Sequence, residues 1–296
     1  MKLLNYSRFF LILSLALFVA GIISLSIFGL RLGIDFKGGS VTELEFKQTV
    51  EIEKVKTIVA NKGIENAQVQ STSNNGVIIR TPTQDKQAHD DLLATIKTDV
   101  GEFEEKRYES IGPVVGEQLT RKALYQLGLV SLGIVLYIAY AFRKVARPVS
   151  SWQFGIAAVL ALVHDLVIVL GIFAVLGHYF HVEVDSMFVT AMLTVLGFSV
   201  HDTIIVFDRI RENLRVYAGQ TIEFVVNHSI SQTLVRSLNT SLTVLLVLLS
   251  LLLFGGETIR YFVLALFVGI IFGTYSSIFV ASPVLVLWQS RKRKAR

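Results

Sequence analysis

The sequence contains no cysteine, which excludes a disulfide framework and any metal or redox centre built on thiolates. Only four prolines interrupt its 296 residues, and charged residues make up 17%, well below the ~25% of an ordinary soluble domain. No G-x-x-x-x-G-K-[ST] stretch occurs, so the phosphate-cradling loop that would make a nucleotide the energy source is missing. The exposed polar residues assemble no combination of nucleophile, base and oxyanion donor, which argues against an enzyme. No organic cofactor motif stands out either. What the chain has in excess is apolar surface: 52% of residues are hydrophobic and the mean hydropathy is +0.59.

Six apolar runs are long enough to cross a membrane as helices: Phe9–Leu30, Leu124–Phe142, Trp152–Leu176, Met187–Phe207, Leu238–Phe254 and Tyr261–Trp288. The first follows Lys2 and Arg8 but is too long for a signal peptide, and no small-residue cleavage site precedes Arg31, so it reads as a retained span. The net charge of +5 is distributed as a topology signal rather than a nucleic-acid footprint. Arg143, Lys144 and Arg147 follow the second run, Arg209, Arg211 and Arg215 the fourth, and Arg291, Lys292, Arg293, Lys294 and Arg296 close the chain. Residues 177–186 hold no Lys or Arg. Positive-inside logic then places both termini in the cytoplasm and residues 31–122 outside. The expected division is 1–30 as amino-terminal segment and first span, 31–122 as an outer domain, 123–290 as five further spans, and 291–296 as a basic tail.

The outer segment carries its own fold pattern. Val41–Phe46 alternates as a strand, Val50–Asn61 has the spacing of an amphipathic helix, and Ala67–Ser71 and Val77–Thr81 flank a turn at Asn74-Asn75-Gly76. Asp85–Thr98 reads as a second helix and Phe103–Ser110 as a last strand. The order β-α-β-β-α-β predicts a ferredoxin-like α+β domain inserted between the first two spans. Near the cytoplasmic side, Thr221–Val235 has the pattern of an amphipathic segment lying against membrane lipid.

Carboxylates inside hydrocarbon are costly and mark function, and the fourth and third runs contain one each, Asp202 and Asp165. Ser199 stands three residues before Asp202, on the same helix face. Arg236, Asn239, Thr240 and Thr243 recur at i, i+3, i+4 and i+7 along the fifth run, a polar stripe expected to face other helices or water rather than lipid. Asp202 lies roughly 9 Å inside the charged cluster that follows it, by the helical rise, at a level Arg236 would also reach. An arginine beside a carboxylate holds it ionised, and separation lets it protonate. The pair would make a proton-controlled switch. His164-Asp165 and His201-Asp202 invite a metal, but adjacent helical residues point about 100° apart and do not converge on one ion; a titrating His201 assisting a proton relay fits better. Gly269, Gly273 and Ser277 form a close-packing stripe in the sixth run, and Pro283 should end or kink that helix.

Several stretches together resemble the SecF family of protein-export membrane proteins, within the resistance-nodulation-division group of transporters. They are Gly33-Ile34-Asp35-Phe36-Lys37-Gly38-Gly39, then Ile111-Gly112-Pro113 with Gly116, and Leu196 to Asn213 through the fourth run. Arg236 with Asn239-Thr240-Ser241 and Gly273-Thr274-Tyr275-Ser276-Ser277 complete the set. Here His201 stands where a neutral Asn is the more usual residue. The resemblance implies a six-span partner of SecD in the bacterial plasma membrane, helping the SecYEG channel move preproteins under the proton motive force, with YajC and YidC as further neighbours. It maps the membrane carboxylate onto Asp202 and the span-five arginine onto Arg236. The glycine motifs flanking the outer domain, Gly33, Asp35, Gly38 and Gly39 at entry and Gly112, Pro113 and Gly116 at exit, are expected to act as hinges. The competing readings are a lipid or small-molecule transporter subunit of the same group and a passive translocon scaffold.

Overall fold

The computed structural model describes residues 7–64, 67–72, 75–143 and 149–294. Lys2, Asn74, Lys144, Arg147 and Arg296, which entered the topology and turn readings, lie outside the described residues, as do the side chains of residues 291–294. The chain divides into two compact units, Leu32–Leu124 on the one hand and Met1–Arg31 with Tyr125–Arg296 on the other.

The smaller unit is a four-stranded sheet backed by two helices. After a single turn α2 (Ile34–Lys37) come β1 (Gly39–Phe46), α3 (Ile52–Asn61), β2 (Gln68–Ser71), β3 (Gly76–Thr81), α4 (Lys86–Asp99) and β4 (Phe103–Ile111). The strands are ordered β2-β3-β1-β4 with every pairing antiparallel. This is the ferredoxin-like arrangement expected from the element order. Alternation does the work on the strands: Leu44 and Phe46 of β1 and Val77 and Ile79 of β3 point into one core. Val55, Ile58 and Val59 of α3 and Leu92 and Ile96 of α4 meet them at helical spacing. Asp85 caps α4 by accepting the Ala88 N–H at 2.8 Å. Asn75 takes φ +58° at the β2–β3 turn, a left-handed conformation asparagine tolerates.

The larger unit is helical: α1 (Ser7–Phe28), the later part of α5 (Pro113–Ala141), α6 (Ser151–Phe180), α7 (Ser186–Val216), α8 (Ile222–Phe254), α9 (Glu257–Ser276) and α10 (Ser282–Lys294), the last two joined by a π-helical turn at Ser277–Ala281. Among the described residues, six helical stretches are long and apolar enough to cross a membrane: Arg8–Phe28, Pro113–Ala141, Trp152–Phe180, Ser186–Val216, Ile222–Phe254 and Thr258–Gln289. All six expected spans are present, and three run more than two helical turns beyond their sequence-derived limits. The α5 helix begins at Pro113 rather than near Leu124, because proline is well placed at a helix start, where its missing N–H has no partner to lose. The α7 helix runs on to Val216. The stretch Thr221–Val235, expected as a separate surface helix, is the first half of α8. No Gly or Pro breaks residues 222–254, and the buried positions Val226, Ser229, Ile230, Thr233, Ser237 and Ser241 continue at spacings of three and four.

Small residues set the helix contacts. An added Cβ on Gly171 of α6 would lie 2.4 Å from the Gly21 Cα of α1, and one on Gly269 of α9 would lie 2.3 Å from Val195 Cγ2 of α7. Backbone meets backbone at the first crossing, and at the second the Val195 side chain seats directly on the α9 backbone, as small residues permit where lipid offers no hydrophobic drive. Pro283 leaves one carbonyl of the preceding turn without a donor, and the widened turn Ser277–Ala281 sits just there. The helix resumes after it, so Pro283 neither ends nor interrupts the span. Ser282 Oγ donates to the Ser277 carbonyl at 3.1 Å across the wide turn.

Candidate functional site

Two carboxylates lie in the interior of the helical unit, Asp165 on α6 and Asp202 on α7, each 1% exposed. Both are held by hydroxyls, and α9 contributes to both. Asp165 Oδ2 accepts from Ser199 Oγ of α7 at 2.6 Å and from Ser276 Oγ of α9 at 2.7 Å. Its Oδ1 lies 3.0 Å from the ring Nδ1 of His164. Asp202 Oδ2 accepts from Thr274 Oγ1 of α9 at 3.1 Å, and Ser241 Oγ of α8 lies 3.4 Å away. Ser241 and Thr274 are themselves 2.6 Å apart. The two environments differ: Asp165 has a polar partner on each oxygen, whereas Asp202 Oδ1 and the Ser237 Oγ of α8 are buried with no hydrogen-bond partner among the described residues. A buried acceptor without a donor is expensive, so Asp202 is the carboxylate whose protonation or ion contact would relieve the larger debt. Between them, Thr203 Oγ1 and Ser277 Oγ are 2.8 Å apart and tie α7 to the wide turn.

The sequence-derived site is rearranged in three respects. Ser199, expected to serve Asp202, donates to Asp165 instead: three residues along a helix is a rotation of about 300°, enough to aim the hydroxyl at α6. Arg236 forms no ion pair with Asp202 among the described residues. The face of α8 that meets α7 and α9 is one residue further on and carries Ser237 and Ser241, while Arg236, Asn239, Thr240 and Thr243 are exposed in this chain. Thr240 and Thr243 spend their hydroxyls on their own helix, on the carbonyls of Arg236 and Thr240. His201 is exposed as well and makes no hydrogen bond to Asp202. Sequence reading missed Ser241, Thr274 and Ser276 as carboxylate partners. The signal was there in Ser229, Thr233, Ser237 and Ser241, a four-residue repeat of hydroxyls beside the more conspicuous charged stripe.

Arg236 instead lines a cavity of about 380 Å³ between α7 and α8, with Ile204, Asp208, Arg209, Gln232 and Thr233 among its walls. Its acidic neighbours are already engaged, Asp208 with Arg211 and Glu212 with Arg209. Polar ties clamp the two helices there: Asn213 Nδ2 donates to Ser229 Oγ and to Gln232 Oε1, both at 2.8 Å. No cluster of three or more His, Asp or Glu side chains suited to a metal ion occurs among the described residues.

The glycine motifs of the smaller unit meet one another. Gly38 has φ +77° and Gly39 φ +133°, angles that side chains resist. A Cβ on Gly38 would lie 2.9 Å from Pro113 Cα, and one on Gly116 would lie 2.9 Å from the Gly38 nitrogen and 3.0 Å from the Phe36 carbonyl oxygen. Gly33 precedes α2 as its cap, with Asp35 in its single turn, and Gly112 has open space around its Cβ position. Flexing at Gly38 or Gly116 therefore means breaking a backbone-to-backbone packing.

Six apolar helices, an inserted ferredoxin-like domain and carboxylates sequestered by hydroxyls define a multi-pass membrane transport component. Residues 92–291 match the family model "Protein export membrane protein SecD/SecF, C-terminal", and residues 23–50 match the SecD/SecF GG motif. The chain is 49% identical to a protein translocase subunit SecF of Thermobaculum terrenum over 95% of its own length and 92% of the relative's. It is 40% identical to one of Anaerolinea thermophila over 98% and 94%. The crystal structure of SecDF, a translocon-associated membrane protein from Thermus thermophilus, superposes with a TM-score of 0.87 at 34% identity. That match covers 98% of this chain and 39% of the longer SecDF chain. The chain belongs to the SecD/SecF family of protein-export membrane proteins, on its SecF side.

Proposed function

We propose that this chain is the SecF half of a SecD–SecF pair in the bacterial plasma membrane, assisting the SecYEG channel in moving preproteins, with Asp202 as the group that takes up and releases the driving proton. The observation that carries the reading is the buried Asp202, whose Oδ1 has no partner while Oδ2 is held by α8 and α9. A carboxylate in that setting changes its hold on two helices when a proton arrives, because the protonated group donates where the ion only accepted. Both termini face the cytoplasm and the ferredoxin-like domain faces outside in this arrangement, following the distribution of Lys and Arg.

Partner assembly follows from α8. An exposed stripe of Arg236, Asn239, Thr240 and Thr243 on an apolar helix does not belong against lipid tails, and a SecD helix is the cover this reading assigns to it. In the complex Arg236 would then act from the SecD–SecF interface, over the cavity between α7 and α8, rather than by a direct contact with Asp202. YajC, YidC and the preprotein enter the same reading as neighbours of the assembled complex. An Asp202→Asn chain that inserts and binds SecD at the usual level should lose gradient-dependent export from inverted vesicles. Undiminished export would reject the relay and leave a scaffold.

A further inference from the structure

His164 is 5% exposed, and its ring Nε2 is buried with no hydrogen-bond partner among the described residues. Its Nδ1 faces Asp165 Oδ1 at 3.0 Å, and its ring lies parallel to Phe18 of α1, 6.3 Å between centroids. Ser199 and Ser276 fill the other carboxylate oxygen. The imidazole thus bridges a satisfied carboxylate and an unfilled end. Among the described residues of the helical unit, the buried ionisable side chains are His164, Asp165 and Asp202. The α1 helix presents Phe18 to the pair, α7 presents Ser199 with Asp202 one turn beyond, and α9 presents Ser276. Tyr275 of α9 is bound elsewhere, to Ser14 and the Phe10 carbonyl.

A neutral imidazole beside an ionised Asp165 would leave one uncompensated negative charge among apolar helices, the form such surroundings oppose. One added proton makes the pair neutral overall, whether it resides on the carboxyl or on the ring.

We propose that His164 and Asp165 form a second proton-binding site, loaded through His164 Nε2 and storing its proton on the Asp165 carboxyl. The proton adds at Nε2, giving an imidazolium. The Nδ1 proton then passes to Asp165 Oδ1, and the ring is left neutral with its hydrogen on Nε2. Neither charge nor hydrogen is unaccounted for: one proton enters, one carboxylate becomes a carboxylic acid, and the imidazole changes tautomer. Imidazole suits this task because its two nitrogens exchange donor and acceptor roles. Ser199 and Ser276 report the loading to α7 and α9, since a protonated Asp165 needs their hydroxyls less. The site deepens the relay reading by giving Asp202 an upstream store in α6.

The test uses the full chain reconstituted with SecD, followed by infrared difference spectroscopy and by ¹⁵N NMR of labelled histidine across pH. A carboxylic-acid band and a change of imidazole tautomer should titrate together. Both should vanish in Asp165→Asn and persist in Asp202→Asn. His164→Gln, which keeps a donor toward Asp165, should remove the tautomer change and slow the appearance of the band, and it serves where Asp165→Asn does not insert. A His164 resonance fixed in one neutral tautomer throughout, with no band assignable to Asp165, would overturn the proposal. That result is distinguishable from failure of the Asp202 reading, which shows in export by Asp202→Asn and leaves these spectra unchanged.

Discussion

Replacing Gly269 by alanine would place a methyl carbon 2.3 Å from Val195 Cγ2, 2.7 Å from Cγ1 and 3.0 Å from Cβ. Carbon atoms rest at about 3.5–4.0 Å, so α7 and α9 must separate by roughly 1 Å or Val195 must yield. It is poorly placed to yield, being 1% exposed and stiff at χ1 because of its branched Cβ. Overpacking of this kind costs about 1–3 kcal/mol. The same separation would act one turn along, where Thr274 holds Asp202 at 3.1 Å, stretching a bond that becomes negligible by about 3.6 Å. Gly269→Ala should therefore lower the thermal stability of the purified chain and also depress gradient-dependent export among the molecules that remain folded. Val195→Ala removes the two nearest carbons. The double variant should recover most of the stability that Gly269→Ala loses, with a coupling energy of about 1 kcal/mol or more. Strictly additive effects, or an unchanged melting curve in Gly269→Ala, would refute the close contact of Val195 with Gly269 on which the argument rests.

Three further outcomes follow from the same geometry. Arg236→Ala should leave the stability of the isolated chain within about 0.5 kcal/mol, since its side chain is exposed and unpaired with Asp202, while reducing export and co-purification with SecD; Arg236→Lys should restore only part, because lysine lacks the planar fork. Leu92→Ala, which opens the centre of the smaller core, should cost about 2–5 kcal/mol, measured by urea unfolding of an excised segment of residues 38–111. That segment should itself show a cooperative transition by circular dichroism, and a featureless spectrum would remove the autonomous-domain reading. Gly38→Ala meets both a positive φ and the Pro113 backbone at 2.9 Å and should destabilise by more than ~1 kcal/mol. Wild-type amide-exchange protection around Phe36 and Gly116 in that variant would show that the two motifs do not pack.

The sequence by itself determined the six spans, the inserted β-α-β-β-α-β domain and the presence of two intramembrane carboxylates. Length, hydropathy and period are properties of one segment at a time, and they survive whatever the neighbours do. Leu44, Val77 and Ile79 announce a strand face, and Asp165 and Asp202 announce themselves by charge. What the sequence left open is rotation about each helix axis. On α8 two polar stripes lie about 100° apart, Arg236 with Asn239, Thr240 and Thr243, and Ser237 with Ser241; charge drew attention to the first, yet the second faces Asp202. Hydroxyls that can bond their own helix backbone are at home on either side, so neither stripe declares its direction. Only the close approach of α7 to α9 at Gly269 and Gly273, and the wide turn before Pro283, fix which hydroxyl reaches which carboxylate. Those contacts are steric agreements between helices distant in sequence, and no single segment encodes them.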